Sequence, residues 1–187
     1  MKTKMKTILL SFTIVTIATI SSCKKDDDHA NDDHEHNEEE LITSLSLTFT
    51  DTAGIKPTLT YAFKDPDGVA GNAPTQFDTL KLSANTVYNV TVSFLDESKN
   101  PAVNITSEVE EEDHEHLICF DNTGLNATVV RTDSDGTYEV GLKSRWTLGN
   151  ASQGNMKVSL KHQPGVKNGN CGVGETDVEV NFPALIQ

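Results

Sequence analysis

A chain of 187 residues, with 28 acidic against 15 basic side chains and a formal charge of −13, has the length of about one ordinary domain. A surface this acidic argues against nucleic acid as a partner, since phosphates demand a basic patch. It also disfavours electrostatic docking onto anionic lipid.

The amino terminus carries Lys2, Lys4 and Lys6, then an uncharged stretch over 7–22 whose apolar core runs from Ile8 to Ile20. A basic n-region followed by a short apolar h-region is the form of a secretory signal. The stretch is too short and too rich in Thr and Ser for a membrane span, which needs about 20 mainly apolar residues. It ends in Ile20-Ser21-Ser22-Cys23, which resembles a bacterial lipobox. Residues 1–22 are therefore expected to be cleaved and Cys23 to be acylated; the alternative is an ordinary signal beside an unrelated cysteine. Loss of the three lysines takes the formal charge from −13 to −16, and the acyl group would then hold the chain at the membrane.

Residues 24–40 contain no Val, Ile, Leu, Met or aromatic side chain and are dense in Asp and Glu. With nothing to bury, 23–40 is predicted to be a disordered, self-repelling tether. Its opening Cys23-Lys24-Lys25-Asp26-Asp27-Asp28 resembles the signal that sends Bacteroidetes lipoproteins to the outer face of the outer membrane. The resemblance implies a lipid-anchored, surface-exposed protein, with the periplasmic face as the other orientation. Charge patterning alone reads the same run as a solvated spacer.

From residue 41 the pattern becomes that of strands. Leu41, Leu45, Leu47 and Phe49 alternate with Ile42, Ser44, Ser46 and Thr48, and Leu59-Tyr61-Phe63 repeats the spacing. Tyr88-Val90-Val92-Phe94, Val140-Leu142 with Trp146-Leu148, Met156-Val158-Leu160 and Val178-Val180-Phe182 continue it. Period-two alternation marks half-buried strands. Turn signals separate them at 65–68, 96–101, 121–124, 133–136 and 165–174. No stretch shows a sustained helical stripe capped at both ends. About seven to nine strands without covering helices predict an all-β domain over 41–187, an antiparallel β-sandwich with Ig-like or Greek-key topology. A barrel would give similar spacing.

Four segments carry a family resemblance: Glu38-Glu39-Glu40-Leu41-Ile42-Thr43, Asp65-Pro66-Asp67-Gly68, residues 108–116, and Gly174-Glu175-Thr176-Asp177-Val178-Glu179-Val180. Together they are similar to small Bacteroidetes outer-membrane lipoproteins often labelled type 1 periplasmic binding fold superfamily. The resemblance covers most of the mature chain and implies no established function. Its label implies two α/β lobes, which a strand-patterned chain of this length cannot supply, so the sandwich stands as the expected fold.

Chemistry-bearing motifs are few. The chain has no Gly-x-Ser-x-Gly elbow, phosphate-binding loop, His-Glu-x-x-His helix or dinucleotide fingerprint, and it is expected to be non-catalytic. Asp65-x-Asp67-Gly68 and Asp133-x-Asp135-Gly136 look like fragments of calcium loops, but neither continues to the glutamate that an EF-hand places at its twelfth position. Both read first as Asp-Gly turns. With Cys23 acylated, Cys119 and Cys171 are the remaining cysteines and are expected to pair in an oxidising compartment. The alternative is a buried thiol at Cys119 and an exposed one at Cys171.

Histidine is the unusual residue. Five of the six lie in two acidic clusters, His29 with His34-Glu35-His36, and Glu110-Glu111-Glu112-Asp113-His114-Glu115-His116. His162 stands alone and reads as a turn or surface residue. On extended backbone a His-x-His pair would present both rings on one face. Imidazole with carboxylate suits Zn²⁺ first, then Cu²⁺ or Ni²⁺. His114 and His116 are the expected nitrogen ligands, with an oxygen from Glu112, Asp113 or Glu115 and with the surrounding acids raising the histidines' pKa. His34 and His36 are expected to form a weaker, auxiliary site. The resulting expectation is a non-catalytic, lipid-anchored envelope protein that captures or buffers a divalent metal, acting with an outer-membrane importer or a surface complex. The second reading is a tethered adhesion or assembly module that binds a protein or glycan, its histidines incidental.

Overall fold

Alternation of apolar and polar residues becomes alternation of burial. The computed structural model describes residues 41–68 and 71–187; the signal 1–22, Cys23 and the tether with His34 and His36 lie outside the described residues. In β1 (Ser44–Asp51), Leu45, Leu47 and Phe49 point inward, and in β5 (Val87–Asp96) Tyr88, Val90, Val92 and Phe94 do the same. Side chains two apart share a face of a strand, so each strand delivers one apolar row.

The first sheet runs in the order β3 (Gln76–Phe77), β2 (Leu59–Lys64), β1, β5, β9 (Lys143–Leu148), β8 (Ala127–Arg131), with β6 (Val103–Asn104) also on β5. The second runs β4 (Leu80–Leu82), β11 (Glu175–Ile186), β10 (Ser152–His162), β7 (His116–Thr123). The chain passes repeatedly from one sheet to the other, and β10 returns beside β7 after β8 and β9 have been laid in the opposite sheet. Two open sheets with their apolar rows turned toward each other make a β-sandwich. Its core joins Phe49, Tyr88, Val92 and Trp146 of one sheet with Ile118, Met156, Leu160, Val180 and Phe182 of the other. The Trp146 ring meets Phe49 edge-on at 5.1 Å and Phe120, across the sandwich, at 5.7 Å.

Two features depart from the sequence expectation. β4 pairs with β11 in parallel, while the other named strand pairs are antiparallel. A short helix, α1 (Ile105–Glu111), precedes β7. With seven residues, three of them β-branched, it has weak helical propensity and no side-chain cap at Asn104. Tertiary contacts hold it instead: Ile105 and Val109, four apart, bury one stripe in the core. The Thr106 hydroxyl also accepts the Phe94 N–H at 2.8 Å.

Candidate metal centre

The site grows out of the way β7 and β10 end. These strands pair antiparallel with Leu160 opposite Ile118, Lys161 opposite Leu117 and His162 opposite His116. Period two therefore puts the two histidines on the same inner face as the apolar pair Ile118–Leu160, one step nearer the end of the sandwich. His116 is 0 % and His162 8 % exposed, and their rings stack with centroids 4.8 Å apart and planes 9° from parallel. The register between β10 and β11 shifts just before this point, between Leu160 and Lys161. Such irregularities re-aim side chains at strand ends.

The acidic segment is not extended. After α1, residues 112–115 form a turn in which the Glu112 carbonyl accepts the Glu115 N–H at 2.9 Å. The same carbonyl lies 3.1 Å from His116 Nδ1. A carbonyl can only accept, so Nδ1 carries the proton and Nε2 holds the lone pair of the neutral ring. Burial pushes His116 from 6.5 down to about 4, against the pull of the Glu112 carbonyl and with help from His162. This corrects the expected rise: the acids at 110–112 are exposed, and desolvation of the ring outweighs them. Glu115 stands between two other imidazoles, Oε1 3.4 Å from His114 Nε2 and Oε2 3.4 Å from His162 Nε2.

Among the described residues, Glu112, His116 and His162 each offer a ligand atom, and the three atoms lie within 4.8 Å of one another. Two imidazoles and a carboxylate, with Glu115 at the edge, are a donor set that fits zinc and its borderline neighbours. The backbone carbonyl on Nδ1 of His116 is the kind of outer partner that orients a ligating ring. A metal bound through an imidazole lone pair lies near the ring plane. Stacked rings would therefore have to reorient to share one ion, and His162 is the less enclosed of the two.

Of the expected ligands, Glu112 and His116 thus belong to the group. Glu115 lies beside it, while His114 points to solvent with 67 % of its side chain exposed. Asp113 contributes its carbonyl elsewhere, to Lys167 Nζ at 2.6 Å. The turn at 112–115 separates His114 from His116, so the shared-face argument for a His-x-His pair does not apply. His162 replaces His114, and its signal was in plain view: it continues the phase of Met156, Val158 and Leu160.

Residues 163–174 brace the turn. Gln163 N–H donates to the Glu115 carbonyl at 2.6 Å. Lys167, besides holding Asp113, pairs with Asp135 at 2.7 Å, the two side chains being 3 % and 5 % exposed. Cys171 is joined to Cys119 of β7 by a disulfide. Both calcium-loop fragments are turns in which carboxylates accept backbone or side-chain donors: Asp133 takes the Gly141 and Lys143 N–H groups, and Asp67 takes the backbone and side-chain amides of Asn72. No family model matches the chain, and neither a curated protein nor a solved structure shows significant similarity to it.

Proposed function

We propose that this protein captures a divalent transition metal, zinc first, through Glu112, His116 and His162, with Glu115 completing or steering the set. The observation that carries the reading is the buried cross-strand pair His116–His162, one ring of which is kept neutral and pinned by a carbonyl. Burying two imidazoles costs free energy that apolar residues at the same positions would not, and metal binding supplies a reason to retain them. The protein acts as a non-catalytic binder, held at the outer membrane by an acyl group on Cys23. His34 and His36 gather metal loosely at the surface, and an importer or surface complex receives it.

The test is calorimetric titration of the full chain with Zn²⁺. Affinity at the tighter site should fall at least roughly tenfold, about 1.4 kcal/mol, in His162→Gln and in Glu112→Gln, and should hold in His114→Ala. Equal affinity in all four proteins would mean that the buried histidines only close the core, and the adhesion-module reading would take the lead.

A further inference from the structure

Glu115 lies where an exposed imidazole and a buried one meet. Its Oε1 is 3.4 Å from Nε2 of His114, whose ring is in solvent, and its Oε2 is 3.4 Å from Nε2 of His162, at the end of the core. One carboxylate thus faces two nitrogens through its two oxygens. Exposure falls along the series, from His114 through the half-buried Glu115 to His162.

The backbone beneath that carboxylate is held from both sides. Glu115 N–H donates to the Glu112 carbonyl at 2.9 Å, and the Glu115 carbonyl accepts Gln163 N–H at 2.6 Å. Gln163 is itself fully buried, and its side-chain amide donates to the carbonyls of Asn170 and Val173 at 2.9 and 2.8 Å. The freedom left to the Glu115 carboxylate is therefore rotation about its own side-chain bonds.

A hydrated divalent cation has to lose water before it reaches His116, which is 0 % exposed. A bare ion in a low-dielectric interior is costly, so protein ligands must replace its waters in steps. His114 and Oε1 of Glu115 offer the first nitrogen and oxygen, at a place where the ion keeps its remaining waters. The exposed acids Glu110, Glu111 and Glu112 give the same turn a negative potential that gathers cations.

We propose that His114 and Glu115 form an entry site for the divalent metal, from which the Glu115 carboxylate hands the ion to His162 and the buried group. The inference rests on the metal-capture reading above and adds a route to it. Only metal–ligand bonds change: His114 and Oε1 release the ion as Oε2 and His162 take it. His114 belongs to the path and not to the final set, and the ion leaves by the path it entered. Loss of His114 therefore slows capture and release by the same factor and leaves their ratio, Kd, in place.

The probe is Zn²⁺ alone, loaded onto the full chain. Its transfer to a colour-forming chelator, extrapolated to zero chelator, gives the off-rate; calorimetry gives Kd, and the two together give the on-rate. In His114→Ala both rates should fall roughly fivefold, with Kd within about twofold of wild type. The deficit should persist in 1 M salt, where a screening length of about 3 Å removes long-range attraction but not ligation. Glu115→Gln should slow the on-rate at least as much, and adding His114→Ala to it should slow it no further, because both residues act on one route. Unchanged rates in His114→Ala, with Kd still weakened by His162→Gln, overturn the entry site and leave the capture reading standing. A Kd raised about tenfold in His114→Ala also overturns it, by making His114 a ligand of the final site. A wild-type chain that binds no zinc removes both readings.

Discussion

His116 and His162 face each other across β7 and β10, rings stacked 4.8 Å apart at the end of the apolar interior. Stacking, burial and metal capture make opposing demands on the pair. The interior keeps His116 neutral and so ready to ligate, while the parallel rings must separate before one ion can use both lone pairs. Binding should therefore be accompanied by a rotation at His162, whose terminal torsion is soft.

Stability should fall in mild acid because of His116. Folded, its ring takes a proton only near pH 4, whereas its unfolded value is 6.5. Between those values the unfolded chain binds more protons, so stability is full above about pH 6.5, declines as the pH falls and levels off below about 4. The interval corresponds to about 3 kcal/mol at 1.36 kcal/mol per pH unit. Urea midpoints from pH 7 to 4 should show this decline in wild type and a flatter profile in His116→Leu. Asp135, held down at about 2 by Lys167 and by the Tyr138 and Thr137 amides against the opposing effect of burial, loses its contribution only at lower pH. Parallel profiles for the two proteins would refute the assignment.

The sandwich was legible in the sequence because half-buried strands write their burial into every second residue, as in Leu45-Leu47-Phe49 and Tyr88-Val90-Val92-Phe94. The helix was not, because α1 draws its stability from Ile105, Val109 and Thr106 meeting β5 and the core, contacts that no local pattern announces. The site was half legible. Residue type singled out Glu112 and His116, and composition favoured His114 over His162. Cross-strand register makes the opposite choice, and register links residues 46 positions apart. Partners at such separation are decided by how strands pair.

Cys23 should carry the anchor. A basic n-region, a short apolar stretch and Ser21-Ser22-Cys23 together predict cleavage and acylation at that residue. Cys23→Ala should move the protein from the detergent phase to the aqueous phase on phase separation, with its fold unchanged. Partitioning identical to that of the parent would remove the lipoprotein assignment.

Reduction should weaken the fold without dissolving it. The Cys119–Cys171 bond spans 52 residues, and closing a loop of that size restricts the unfolded chain by about 4 kcal/mol on the entropic account. It also ties the outer side of β7 to residues 163–174, where Arg131 bridges the Ile118 carbonyl and Cys171 Sγ at 2.6 and 3.2 Å. Denaturant midpoints with and without reductant should differ accordingly. Two titratable thiols in the untreated, folded protein would contradict the bond.

Lys167 is a buried cation that reaches the metal turn. Its ammonium donates to the Asp113 carbonyl at 2.6 Å and to Asp135 at 2.7 Å. Asp113 follows Glu112 directly, so Lys167 helps set the backbone that carries one ligand and orients the His116 ring. Lys167→Met leaves Asp135 buried with only its backbone donors, Thr137 and Tyr138. Breaking a buried pair from one side costs about 3–5 kcal/mol, and those two remaining bonds put the expected loss near the lower figure. Zinc affinity should fall as well, because the turn at 112–115 loses one of its two ties to residues 163–174; the other, Gln163 to Glu115, persists. Adding Asp135→Asn to Lys167→Met removes the orphaned charge and should restore part of the stability, since the pair is then gone rather than broken. It should not restore zinc affinity, since the tie to Asp113 is still missing. A double variant that recovered both would show that Lys167 acts on the metal through overall stability alone.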